Sequence, residues 1–408
     1  MPSAIVTGAT GILGREIVQA LGRDSGQWET VYALSRSQKE QYPPNVKHDF
    51  IDLTGDAKSM AKQLEGIEAE YVFFAAYLEK GSEQENWDVN GAMLKNFLDA
   101  LELTGASKKL KRVILTTGAK QYGVHLGRPK QPMEESDPWL DGEGRPPNFY
   151  YNQQRILYEA AKTHNFEWVV TYPNDVIGVA KGNFMNLATS LGLYCAISKE
   201  LDGNLMFPGS ETFYTLFDSF TYSRLHASFN LWAALEPQCA NQAFNVVNGD
   251  VESWQNMWPK AAKRFGCHIP RNQFRVGVGE DPGSVMPLAE KPPLAEVAVQ
   301  IGLENNLEQN KVEQKIDLVK WSKREDVQQA WTKLADQHNL ERDAFEKATW
   351  GFLGFVLGRN YNVVISMSKA RRLGWTGYID SWDALEECWD ELELEKVLPP
   401  AKHSAVRQ

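Results

Sequence analysis

The stretch "VTGATGILG", Val6–Gly14, constrains this chain more than any other. The apolar run "SAIV" leads into it and the helical pattern "ILGREIVQALG" leaves it. Gly8, Gly11 and Gly14 therefore stand in a TGxxGxxG pattern between a strand and a helix. The first glycine allows a sharp turn, and the second lets the backbone approach a pyrophosphate. The third lets the helix pack on the strand with its positive N-terminus toward the phosphates. The pattern predicts a dinucleotide-binding turn, with Thr7, Gly8, Thr10, Gly11, Ile12, Leu13 and Gly14 at the cofactor. A turn that serves only packing is the alternative.

Downstream of this turn the chain keeps the same rhythm. "TVYALSR", "HDFIDLTG", "EYVFFAAY", "RVILTTGAK" and "EWVVTYP" are short apolar runs separated by helical patterns. Such alternation predicts an α/β fold: a Rossmann-type doubly wound parallel sheet with helices on both faces. Residues 1–175 read as the dinucleotide-binding domain, joined by a further strand near 243–248 in "AFNVVNGD". Residues 176–398 read as a mostly helical substrate-binding region and 399–408 as a mobile tail. "LERDAFEKATWGFLGFVLGRN" reads as one helix. The loop Val124–Asn148 is long and rich in Pro, Gly and acid, which suits the border of a site. Gly277–Pro293 reads as a loop-like boundary.

Composition narrows the function. A net charge of -10 argues against a nucleic-acid partner, which needs clustered Lys and Arg. No apolar segment is long enough for a membrane span, and the first residues lack a basic region followed by an apolar stretch, so no secretory leader is predicted. Cys195, Cys239, Cys267 and Cys388 lie far apart, without metal or redox spacing, and read as thiols of a reducing compartment. These features predict a soluble cytoplasmic protein with no metal centre. No GxSxG pattern suggests a hydrolase.

The strand ends supply the remaining cofactor candidates. The second ends in Ser35 and Arg36 with no acid, and a guanidinium suits the 2′-phosphate of NADPH better than free ribose hydroxyls. An ordinary solvated arginine is the alternative. Asp52 and Leu53 are expected beside the adenine, although Asp52 also suits a helix N-cap. Ala75, Thr116, Pro173, Asn174 and Val176 end or follow later strands and are expected along the cofactor.

Hydride enzymes of this architecture usually carry a Tyr and, four residues on, a Lys on one helical face. Here Tyr150 and Tyr151 are followed at that spacing by Gln154 and Arg155. Lys120, in "TTGAKQYG" at the end of the fifth strand, is the unpaired cation that a carboxyl-edge site can bring to the tyrosine helix.

"TTGAKQYG" and "NFYY" resemble the TGxKHYxGP and NFYYxxED motifs of the progesterone 5β-reductase/iridoid synthase-like (PRISE) enzymes, a branch of the extended short-chain dehydrogenases. "NLATSLGLYCAISKE", "HASFNLWAALEPQCANQAFNVVNGDVESWQNMWPKAAKRFG" and "SMSKARRLGWTGYIDS" are similar to later blocks of that family, in the same order. The resemblance implies NADPH-dependent 1,4-reduction of α,β-unsaturated carbonyl compounds of steroid, terpenoid or polyketide type. It assigns the catalytic roles to Tyr151 and Lys120, and it allows a homodimer. Reduction of C=O, or redox-neutral cyclisation or isomerisation around retained NADP, are the alternatives. "YPNDVIG" resembles the extended-family turn beneath the nicotinamide. Tyr122, Leu126, Phe149, Phe184, Met185, Phe207, Phe213 and Trp350 are the expected wall of an apolar enone pocket, though each also suits a core. Three positions depart from the family motifs: Gln121 for His, Val124–His125–Leu126 for Gly-Pro-Phe, and Gln154–Arg155 for the acidic pair. His125 reads as polar loop surface, with proton donation as the alternative.

Overall fold

The computed structural model describes residues 1–37, 41–180, 185–274 and 283–401. Seven strands form one parallel sheet. Its first six are β1 (Ala4–Thr7), β2 (Val31–Ser35), β3 (Val46–Phe50), β4 (Tyr71–Phe74), β5 (Arg112–Thr116) and β6 (Glu167–Tyr172). The strand Gln242–Asn245 completes the order β3-β2-β1-β4-β5-β6 at the β6 edge. β1 is wholly buried and the "RVIL" of β5 likewise. Burial on both faces is why these runs are continuously apolar rather than alternating.

The order reverses at β1, whose neighbours are β2 and β4. A crevice opens at the carboxyl ends of the strands on either side of such a switch point. The helix Gly14–Arg23 starts there directly after β1, and no side chain caps its N-terminus. The helix Phe149–His164 arrives at the same edge from the long loop after β5.

Among the described residues two large hydrophobic cores stand out, beside a small cluster of Ile12, Leu13 and Ala180. One surrounds the sheet and takes in Phe229, Phe244, Val363 and Ile365. The other joins the helices Leu187–Leu201, Trp254–Phe265, Glu325–His338, Trp350–Gly358 and Ser381–Leu394. The chain visits the sheet core three times: with its first 172 residues, near 227–247 and near 361–370.

Two local expectations change. "LERDAFEKATWGFLGFVLGRN" is a short 3₁₀ turn, Arg342–Ala344, followed by the helix Trp350–Gly358. Thr349 N–H, at the break, donates to Ser190 Oγ (2.9 Å) rather than to a preceding turn. Within Gly277–Pro293 the described part holds a strand, Ser284–Pro287, antiparallel to Lys311–Gln314. Residues 402–408 of the expected tail lie outside the described residues. Among the described residues no helix is long and apolar enough to cross a membrane.

Candidate active site

A cavity of about 800 Å³ fills the crevice. One end is built from the glycine turn and the strand ends. Gly8, Thr10, Gly11, Ile12, Leu13, Ser35, Arg36, Asp52, Leu53, Ala75, Thr116, Pro173, Asn174 and Val176 all border it, as expected from the sequence. Gly8 has φ +68°, and a Cβ there would stand 2.7 Å from Ala75 O, so only glycine lets these two strand ends approach. Two expected residues stay out of the cavity. Thr7 is enclosed within β1, and Gly14 is pressed against Gly8, where a side chain would overlap the Gly8 carbonyl. Their contribution is close packing, not contact.

Arg36 is exposed at the end of β2. Its charge, with the stronger effect of two hydrogen bonds from Thr54, holds the Asp52 carboxyl below its usual range. Asp52 is not a helix cap: Asp56 caps the helix Ala57–Gln63 by accepting from Ser59 N–H.

At the other end the tyrosine helix meets the turn after β5. Asn148 joins them. Its Oδ1 accepts from Tyr150 N–H (3.1 Å) and its Nδ2 donates to Lys120 O (2.8 Å). Adjacent residues on a helix point about 100° apart, and only one of the two tyrosines borders the cavity. It is Tyr150. The Tyr150 hydroxyl lies over Gly118, where a Cβ would come within 3.1 Å of it. Burial, and then the charges of Glu79 and Glu83, raise the Tyr150 phenol pKa, so the hydroxyl keeps its proton.

Tyr151, the expected catalytic residue, faces away from the cavity. It donates to Gln121 O (2.7 Å), accepts from Leu140 N–H (2.9 Å) and stacks on Trp139 (4.7 Å between rings). Its role there is to tie the long loop to the helix, and burial pushes its phenol up to about 12. Which tyrosine turned inward depended on the helix rotation, which adjacent identical residues do not reveal.

Lys120 borders the cavity, with Nζ 3.3 Å from Glu83 Oε1 and 6.0 Å from the centre of the Phe149 ring. Glu79 lies beside them, its pKa raised by burial against the opposing pull of Lys120. Neither glutamate was legible as a site residue, because "YLEKGSEQE" holds several charges and no pattern that marks which of them turns inward.

Phe149 and Met185 border the cavity as expected, and Phe184 lies outside the described residues. The other wall assignments are corrected. Tyr122 is buried behind the turn, donating to Asn245 Oδ1 (2.6 Å). Leu126 lies beyond the cavity wall, its carbonyl accepting from Ala289 N–H (3.1 Å). Phe207 packs on Trp254 and Trp258 in the helical core. Phe213 sits behind Arg359 (5.8 Å). Trp350 packs on Trp321 and Phe345, and the same helix presents Phe352 and Phe355 to the cavity instead. Tyr77, stacked on Phe149 (5.3 Å), is a further aromatic at the cavity.

A buried charge cluster ties the two ends together. Arg359 donates through Nη1 and Nη2 to Asp175 (2.5 and 3.0 Å), and its Nη1 lies 3.3 Å from Asp218 Oδ2. Asp175 belongs to the turn after β6 and has φ +34°, a conformation uncommon outside glycine but one that aspartate adopts more readily than most residues. Burial and the Asp175 carboxylate raise the Asp218 pKa well above the ordinary value.

The family described as PRISE-like Rossmann-fold domain matches residues 45–289. An uncharacterized protein of Schizosaccharomyces pombe is 42% identical, covering 97% of this chain and 98% of its own length. The chain belongs to the PRISE-like family. Other relatives resemble it at lower identity. The 3-oxo-Delta(4,5)-steroid 5-beta-reductase of Arabidopsis thaliana is 27% identical over 97% of this chain and 93% of its own. An (S)-8-oxocitronellyl enol synthase of Nepeta racemosa is 28% identical with the same coverages. A UDP-glucose 4-epimerase of Thermotoga maritima, solved with UDP-glucose, aligns with a TM-score of 0.57 at 14% identity, over 95% of this chain and 99% of that one. This last likeness is one of fold alone.

Two departures from the PRISE motifs turn out to be one. Gln154 Nε2 donates to Gln121 Oε1 (2.9 Å), so the residues replacing the motif histidine and the first motif acid touch each other. Gln154 Oε1 accepts from Tyr172 (2.7 Å) and Tyr158 (3.1 Å), which leaves the buried pair satisfied. A neutral amide pair here holds the tyrosine helix against the Lys120 turn without burying a charge.

Proposed function

We propose that this protein is an NADPH-dependent reductase of α,β-unsaturated carbonyl compounds. The observation that carries the reading is the Tyr150 hydroxyl, held protonated beside Gly118 in the cavity that also contains Lys120 and the glycine turn. The cradle fits a nicotinamide dinucleotide. Gly8 lets the strand ends close together, Gly11 borders the cavity where a pyrophosphate would lie, the uncapped helix start at Leu13 suits its charge, and Arg36 suits a 2′-phosphate. When bound, NADPH supplies hydride to the β-carbon of the enone.

The chain's own residues act on the other end of that conjugated system. Negative charge grows on the carbonyl oxygen as the enolate forms. Tyr150 donates a hydrogen bond to that oxygen, which is stronger in the transition state than in the ground state. Lys120, oriented by Glu83, adds positive potential at the same end. Phe149, Met185, Phe352 and Phe355 hold the apolar body and exclude water.

A second reading is favoured by the relatives named enol synthases: release of the enol itself, followed by a redox-neutral closure. The same residues serve both readings up to the enolate, and product NMR separates them.

The test mixes purified protein with NADPH and a panel of cyclic and steroid enones, following NADPH absorbance and the product by NMR. Saturated ketone or enol is expected; an alcohol, or no oxidation with any member, overturns the reading. Tyr150→Phe is expected to lose about 100-fold in kcat with NADPH binding intact. Tyr151→Phe is expected to keep kcat within about threefold and to lose stability through its two hydrogen bonds. The opposite ranking would return the catalytic role to Tyr151.

A further inference from the structure

The turn Val124–Leu126 replaces the motif's Gly-Pro-Phe, and two of its residues, Val124 and His125, border the cavity together with Lys120 and Tyr150. The turn is held firmly. Gly123 has φ +69°, Leu126 N–H donates to Gly123 O (2.8 Å), and Tyr361 Oη donates to Val124 O (2.6 Å). His125 nonetheless makes no hydrogen bond among the described residues, and its Nδ1 is buried without a partner.

A neutral imidazole carries one N–H, on one nitrogen or the other. Burial, reinforced by the Lys120 charge, lowers the His125 pKa to about 3, so the ring is neutral near pH 7 and is no imidazolium proton donor. A proton on Nδ1 would be sealed away from any acceptor. On Nε2 it can meet whatever enters the cavity. A donor without a partner in the cavity wall disfavours ligands that leave it unmatched.

We propose that His125 determines specificity: its Nε2–H donates to a second oxygen of the substrate, so the cavity prefers enones that carry a further acceptor oxygen over hydrocarbon enones of the same size. This rests on the reductase reading for the word enone. The recognition itself is a binding property.

The test measures binding to the NADP⁺-saturated protein by calorimetry, using two matched pairs. One is androst-4-ene-3,17-dione against androst-4-en-3-one. The other is 4-methoxycyclohex-2-enone against 4-ethylcyclohex-2-enone. The oxygenated member of at least one pair is expected to bind about 5- to 10-fold tighter to the wild type. His125→Phe is expected to erase that ratio, and His125→Gln, which keeps a donor, to restore part of it. Equal binding within both pairs, or an unchanged ratio in His125→Phe, overturns the assignment. Offering each ligand with NADPH separates the two ideas. A binding preference without turnover defeats the reductase reading and leaves His125 in place; turnover without a preference does the reverse.

Discussion

The two ends of the cavity are built by different means. The glycine-turn end is made from backbone: a positive-φ glycine, a helix start and the last residues of successive strands. The tyrosine end is made from side chains that separated segments deliver: the segment after β4, the turn after β5, the tyrosine helix, the stretch holding Met185 and the helix Trp350–Gly358. A backbone site is fixed as soon as the strands pair, because the sheet places every strand end on one edge. A side-chain site depends on helix rotation and on which face of each aromatic segment the second core claims. The difference explains why 14 expected residues border the first end, whereas the wall of the second had to be reassigned.

Substitutions sharpen this contrast. The largest effect is expected at Arg359, which joins the ends. Arg359→Met leaves Asp175 and Asp218 buried without their cation and is expected to cost about 3–5 kcal/mol in a denaturant titration. A loss below about 1 kcal/mol would show that the ends are held independently. Arg36→Ala tests the backbone end alone. It is expected to raise KM for NADPH about 10-fold and to leave KM for NADH and the enone unchanged. Equal effects on both cofactors would remove Arg36 from phosphate recognition.

An effect of similar size is expected on pH dependence. Burial holds His125 and His226 near 3, against an ordinary value of 6.5. Below about 6.5 the unfolded chain takes up protons that the native one refuses. Their contribution is therefore complete above the unfolded value and shrinks as the pH falls toward 3. His125→Gln is expected to reduce the stability lost between about pH 7 and about pH 5 by roughly 1–2 kcal/mol, read from unfolding titrations at both values. An unchanged difference would mean that His125 titrates freely.

Some of the site was legible for a physical reason and some was not. Lys120 could be read because a charge at the end of a buried strand needs an explanation that sequence pattern alone supplies. Phe352 and Phe355 could not, since "TWGFLGF" is apolar all round and offers no face to choose. Gln121 and Gln154 each read as a lost motif residue. Their mutual hydrogen bond shows a paired replacement that neither position reveals alone.

The sequence by itself determined the parallel sheet, its glycine turn, the strand-end residues and the PRISE-like motifs. Periodicity, glycine spacing and residue type are local properties and survive without a fold. Only the tertiary structure decided that Tyr150 rather than Tyr151 faces the cavity, that Trp350 belongs to the core while its neighbours line the wall, and that His125 Nδ1, beside Lys120, has no partner among the described residues. Each of these depends on how one element is rotated and packed against another that is distant in sequence, and no local pattern records that angle.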